Sequence, residues 1–232
     1  MSSSFAGSEV RLISITEQVS ANLKARILRG ELTPGQRLVE QQLARSLGVG
    51  QNAIREALIE LAHRGFVRRV ANRATYVTSL SLSEATKLAE VRAALESLAL
   101  DLIARRRQQE TLDFRVLDQL LQKMRAAAKA GDREAFYDAD LAWHQELWQL
   151  AGNEFLRQSL EQIVVPLFAF FIMLYMRRDN NVKSFLEAVA AHEKVVSSLR
   201  GPKPATAAKA IRDLVDLSLK HQQGLISGQP AE

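Results

Sequence analysis

The chain has no cysteine among its 232 residues. That absence excludes a disulfide scaffold, a thiolate nucleophile and every zinc or iron–sulfur site built on sulfur. Any metal site must therefore be assembled from aspartate and histidine, and the chain holds only four histidines. The opening stretch MSSSFAGSEV lacks a basic segment followed by an apolar one, so no secretory signal is expected and the cytoplasm is the expected location. Long hydrophobic runs are also missing. The longest, Ile163 to Met176, has 14 residues and contains Pro166, whereas a membrane-spanning helix needs about 20. It reads as a helix buried in a helical core or partly in a subunit interface, and no membrane partner is expected. There is no internal repeat and no low-complexity tract.

What charge there is lies unevenly. Residues 1–80 carry 11 Lys and Arg against 6 Asp and Glu, and residues 81–232 carry 20 of each. The whole net charge of +5 therefore belongs to the first third. A compact basic segment on a neutral bulk is the charge distribution of a part that meets a polyanion joined to a part that does not.

Hydrophobic periodicity organises the first third into three short helices. Ile15, Val19, Leu23, Ile27 and Leu28 mark an amphipathic helix over 14–29, stopped by Gly30 and followed by the turn Leu32-Thr33-Pro34-Gly35. A second helix is predicted from about Glu40 to Ser46. A third, capped by Asn52, runs to about Arg64. Then the period changes: Phe66–Val70 and Thr75–Thr78 are β-prone and flank a polar stretch at 71–74, which predicts a two-stranded hairpin. From Ser83 onward the pattern is helical, with segments at about 83–107, 111–130, 132–151, 154–178 broken at Pro166, 182–200 and 205–227. The expected fold is mainly α: an N-terminal winged helix-turn-helix with a small β-hairpin over residues 1–80, and a C-terminal antiparallel all-α bundle over residues 81–232.

In such a head the third helix enters the major groove of double-stranded DNA. Gln51, Asn52 and Arg55 at its start have side chains that can bond base edges, Gln and Asn to adenine and Arg to guanine. Arg45, Arg64, Arg68, Arg69 and Arg73 are candidates for phosphates. The blocks Gly30 to Leu38, Gln42-Leu43-Ala44, Leu47-Gly48-Val49, Ile54-Arg55-Glu56-Ala57-Leu58, Leu61 and Gly65, in that order, resemble the DNA-binding domain of the GntR family of bacterial transcription regulators. Gly50-Gln51-Asn52-Ala53 stands where many members have Ser-Arg-Thr-Pro, so the resemblance implies the fold but not the family's operator sequence.

In the bundle, Asp140 and His144 are four residues apart and project from one helix face. A carboxylate and an imidazole at that spacing can hold a divalent metal, with His192 as a third ligand; the same pair is more often an ordinary hydrogen-bonded or solvated couple. Val91-Arg92-Ala93-Ala94-Leu95-Glu96, Asp140-Leu141-Ala142-Trp143-His144, Ala151-Gly152-Asn153 and His192-Glu193 resemble the effector domain of the FadR-type branch, known as FCD. That resemblance implies a divalent cation (Zn, Ni or Mn) on Asp140, His144 and His192, with a small carboxylate effector beside it and Arg92 as its partner. The alternative for Arg92 is an intrahelical pair with Glu96. The family's remaining histidine falls at Leu214 here, and His221 lies two turns later on the same face.

One short helix reads too few base pairs for operator specificity, so a homodimer on a pseudo-palindrome is expected. The expected function is a ligand-responsive transcriptional regulator, a repressor and not an enzyme. Its rivals are a metal hydrolase using the Asp/His site with Glu193 as base, and a DNA-binding protein with a vestigial pocket.

Overall fold

The computed structural model describes residues 14–70, 74–176, 182–201 and 204–227. Helix α1 (Ile15–Leu28) is opened by a capping box in which Ser14 and Glu17 satisfy each other's backbone N–H groups. Strand β1 (Arg37–Leu38), helices α2 (Glu40–Leu47) and α3 (Gln51–His63), and strands β2 (Val67–Val70) and β3 (Ala74–Val77) complete the first third. Six helices follow: α4 (Leu82–Arg106), α5 (Arg115–Ala130), α6 (Arg133–Leu150), α7 (Glu154–Tyr175), α8 (Val182–Arg200) and α9 (Pro204–Ser227).

Four expectations change. The hairpin is part of a three-stranded antiparallel sheet ordered β1-β3-β2, with Arg37 opposite Tyr76 and Arg68 on Tyr76's other side. Two residues are too short a strand to show alternation in sequence. Asn52 does not cap α3; Gly50 holds the cap position with no side-chain bond, which puts Gln51 and Asn52 in the first turn, both exposed. Helix α5 starts later than position 111 because the Asp113 carboxylate accepts the backbone N–H of Arg115 at 2.9 Å, a local turn that competes with helix. Helix α7 runs unbroken through Pro166. A mid-helix proline costs about 3 kcal/mol, and eleven buried apolar residues of α7 outweigh it, since each fully buried large side chain contributes about 1.5–3 kcal/mol. By length and composition α7 could cross a membrane, but here Leu167 to Met173 are all buried in the protein core. The connections read at 179–181 and Pro202, and the predicted wing tip at 71–73 with Arg73, lie outside the described residues.

In the bundle α4 packs on α9 and α7, α5 on α6 and α8, and α8 on α9. One hydrophobic core is continuous from the sheet region into the bundle. The seam between them has polar and apolar parts. Lys24 of α1, almost wholly buried, reaches Glu134 at 2.6 Å and Asp138 at 3.6 Å on α6. Arg64 reaches Asp138 at 3.6 Å, and so holds an acidic residue of the bundle, a partner other than the phosphate expected for it. The rings of Phe66 and Tyr137 stand 6.1 Å apart.

At the same seam Gly65, with φ +74°, meets the backbone of α7. A Cβ there would stand 2.5 Å from the Val165 carbonyl oxygen and 2.7 Å from the Pro166 nitrogen, whereas a Cβ at Gly48, φ +67°, would meet nothing within 4 Å. Gly48→Ala should therefore lose only the left-handed penalty of about 1–2 kcal/mol. Gly65→Ala should lower Tm by several degrees more, measured by differential scanning calorimetry; equal shifts would contradict the close packing of Gly65 on α7.

Candidate functional site

Helical spacing brings the site together. Arg92 and Glu96 lie one turn apart on α4, Asp140, His144 and Trp148 follow at four-residue steps on α6, and His192 comes from α8. Arg92, Glu96, His144 and His192 are all buried. The Arg92 guanidinium donates through Nε to Glu96 Oε2 at 3.1 Å, and its Nη2 lies 2.8 Å from His144 Nε2. Trp148 donates its indole N–H to Glu96 Oε1 at 3.1 Å. The intrahelical pair of Arg92 with Glu96 is formed, and the same guanidinium faces the histidine centre.

The partners assign the tautomers. Arginine only donates, so His144 Nε2 must present its lone pair to Arg92. The proton then sits on Nδ1, 2.8 Å from Glu96 Oε1 in a close contact outside aligned hydrogen-bond geometry. His192 Nδ1 lies 2.7 Å from the Ala188 carbonyl, which only accepts, so its Nε2 also carries a lone pair. That Nε2 stands 2.9 Å from Asp140 Oδ1 and 3.3 Å from His144 Nε2, and the latter is 3.7 Å from Asp140 Oδ1. Three acceptor atoms thus face one another, and Asp140 Oδ1 is buried with no hydrogen-bond donor aligned on it.

Charge points the same way. Burial pushes the Glu96 carboxyl up, but Arg92, His144 and the Trp148 N–H outweigh it and hold its pKa at about 2. Burial also raises Asp140, and the charges and bonding of His192, His144 and Arg92 reverse the sign and leave it lowered. Burial, the largest effect on His144, lowers its pKa against the pull of Glu96. Leaving the imidazoles out, one arginine faces two carboxylates, Glu96 and Asp140, so a further positive charge is needed to balance the second.

Those atoms fit a divalent cation once Arg92 Nη2 releases His144 Nε2, whose single lone pair it holds here. At bonds of about 2.1 Å, ligand atoms at right angles stand about 3.0 Å apart and tetrahedral ones about 3.4 Å, and the observed separations bracket these values. A neighbouring carboxylate on the far nitrogen, as Glu96 is to His144, is the usual support of a metal-ligating imidazole. Among the described residues Asp140, His144 and His192 are the group able to hold a metal. Leu214 is fully buried on α9. His221 lies outside the cluster, its Nε2 3.3 Å from Glu187 of α8.

Glu193, the base required by a hydrolase, bonds Arg125 on the surface, lining a separate groove of about 510 Å3. Trp143 and Trp148 are wholly buried core residues. Glu96 enters the sequence reading only as a pair for Arg92, and Trp148 not as a site residue; one-turn spacing from His144 is the signal for Trp148.

On the head, Arg45, Gln51, Asn52 and Arg55 are all exposed. Arg55 bonds Glu40 of α2 through Nε at 3.2 Å and Nη2 at 3.1 Å. Neither of the two glutamates nearby on its own helix holds it, and Glu56 accepts from Thr16 instead.

Removing one partner of a buried pair leaves the other charge uncompensated, at about 3–5 kcal/mol. Glu96→Ala should cost that much in urea unfolding, and Glu96→Gln, which keeps an acceptor for Trp148, should cost less. A change below about 1 kcal/mol for Glu96→Ala would contradict the buried pair.

Residues 15–77 match the bacterial regulatory proteins, gntR family, and residues 87–217 match the FCD domain. The HTH-type transcriptional regulator McbR of Escherichia coli (strain K12) is 26% identical over 157 residues, 68% of this chain and 70% of that protein. The uncharacterized HTH-type transcriptional regulator YdhC of Bacillus subtilis (strain 168) is 29% identical over 142 residues, which span 61% of this chain and 62% of its own length. A solved structure of E. coli McbR/YncC covers 93% of this chain and 100% of its own at a TM-score of 0.70 and 21% identity, a likeness of fold. The chain belongs to the GntR family of bacterial transcriptional regulators, with a winged helix-turn-helix head and an FCD domain.

Proposed function

We propose that this regulator is a repressor released or tightened on its operator by a small carboxylate. In this reading residues 1–80 hold double-stranded DNA, and residues 81–232 pair two protomers and bind the effector beside a divalent cation on Asp140, His144 and His192. The observation that carries the reading is the convergence of three acceptor atoms with Asp140 Oδ1 buried and unpartnered. A bound cation would supply the missing positive charge and coordination positions open to a carboxylate.

The chain's own residues do the rest. Arg92 keeps Glu96 through Nε and has further N–H groups in the planar array that suits a carboxylate. Glu96 and the Ala188 carbonyl hold the two imidazoles in their tautomers. Val91 and Leu98, exposed and two turns apart on α4, supply an apolar face for pairing two protomers. On the head, α3 has no side-chain cap, so its first N–H groups are available to a phosphate while Gln51, Asn52 and Arg55 meet base edges. The proteins act in the cytoplasm, where operators are.

Signal passes across the seam. Tyr137 of α6 contacts Phe168 on one side and Phe66 of the head on the other, each at 6.1 Å, and Gly65 sits against α7. An effector shifts DNA binding only if it favours one arrangement of the heads, by about 1–3 kcal/mol, or about 5–150-fold.

The test is DNA affinity, measured by fluorescence anisotropy on a site selected from a random pool, with a carboxylate library and Zn2+, Ni2+ or Mn2+. At least one acid should change the affinity at least about fivefold, and Asp140→Ala should abolish that response with its effector-free DNA affinity intact. A response that survives Asp140→Ala would overturn the reading.

A further inference from the structure

Six of the chain's fourteen aromatic residues, Phe136, Tyr137, Phe168, Phe171, Tyr175 and Phe185, line a single cavity between α6, α7, α8 and α9. Asp140 belongs to the same lining, so the cavity reaches one residue of the acceptor centre. Phe168 joins the two: its ring is 5.3 Å from that of His144, and the Arg92 guanidinium carbon stands 4.7 Å from its centroid. At the other end Phe136 and Tyr175 lie 4.6 Å and 5.6 Å from Phe185. The Tyr137 hydroxyl is buried with no hydrogen-bond partner, which points to an occupant carrying a polar group.

From this wall we infer that the effector is an aromatic carboxylic acid, its ring among these side chains and its acid group at the Asp140, His144 and His192 centre. The inference rests on the carboxylate-sensing reading above and narrows it. An aromatic wall also suits an organic cation, but the metal ion proposed on Asp140 would take up the carboxylate that could hold one, and Arg133 lines the same cavity. A neutral ring meets edges and faces of other rings in the arrangements that aromatic pairs favour. The larger groove between α5 and α8 does not compete: its Arg125 and Arg200 are already paired with Glu193 and Asp118.

The cavity measures about 60 Å3, whereas a protein cavity that takes benzene is about 150 Å3. The ring therefore enters by parting the wall, and Phe171 and Tyr175 sit in the last turns of α7, the helix whose Val165 and Pro166 abut Gly65 of the head. Ring binding and head position thereby share one helix.

The test is calorimetric titration of the untagged full chain, loaded with Zn2+, using acetate, cyclohexanecarboxylate, benzoate and the three hydroxybenzoates. Benzoate should bind at least tenfold tighter than acetate or cyclohexanecarboxylate, and one hydroxybenzoate tighter still. Phe171→Leu should bring benzoate down to the acetate level without changing acetate, and Tyr137→Phe should remove only the gain from the hydroxyl. Benzoate no tighter than acetate or cyclohexanecarboxylate, or a gain intact in Phe171→Leu, would overturn the inference while leaving carboxylate sensing in place. If no acid binds but benzyl alcohol binds in a Phe171-dependent way, the ring site stands and the carboxylate reading fails. If neither binds, both fail.

Discussion

Taking the Arg92 guanidinium and the Glu96 carboxylate out of water costs several kcal/mol for each ion, and a bond between them offsets that only if their remaining polar atoms are also served. The bundle meets this condition with α4 and α6 side by side. Trp148 donates to Glu96, His144 lies against the same carboxylate, and Arg92 spans Glu96 and His144. Once those positions are set, the ring of His144 has one orientation, and the Ala188 carbonyl fixes that of His192. Their unprotonated nitrogens then meet Asp140, and the unbalanced negative charge of the centre follows.

The same helices carry that centre toward the head. Helix α6 bears Asp140 and His144, the cavity residues Phe136 and Tyr137, and Glu134 and Asp138, which hold Lys24 and Arg64. Helix α7 bears Phe168 and Phe171 on the cavity and Pro166 against Gly65. Two elements therefore touch both the site and the DNA-binding head, and a change in cavity width has a short, packed route to α3. Spatial continuity by itself establishes contact, and the energetic coupling is what DNA affinity measures.

Local regularities were readable from residues alone. The three- and four-residue periods of α1 and the one-turn step from Asp140 to His144 are each contained within a few positions of sequence. What escaped was long-range. Arg55 pairs with Glu40 fifteen residues back, β1 exists only because β3 offers it a partner, and Glu96 serves His144 across two helices. Pro166 looked like a break because a propensity argument omits the burial around α7. Phe168, Phe171 and Tyr175 read as part of an apolar run, and only the approach of α6 and α8 turns them into a wall.

The central claim is that the acceptor cluster holds a divalent cation with three protein ligands, Leu214 standing on the face of α9 that carries Ser218 and His221 into the cavity. Titration with Co2+, followed by its visible absorption, measures this directly. The account predicts uptake of about one equivalent per chain, lost in His144→Ala, and an affinity raised at least tenfold in Leu214→His, where a fourth ligand is restored. Absence of uptake by the wild-type chain, or undiminished uptake by His144→Ala, would contradict it.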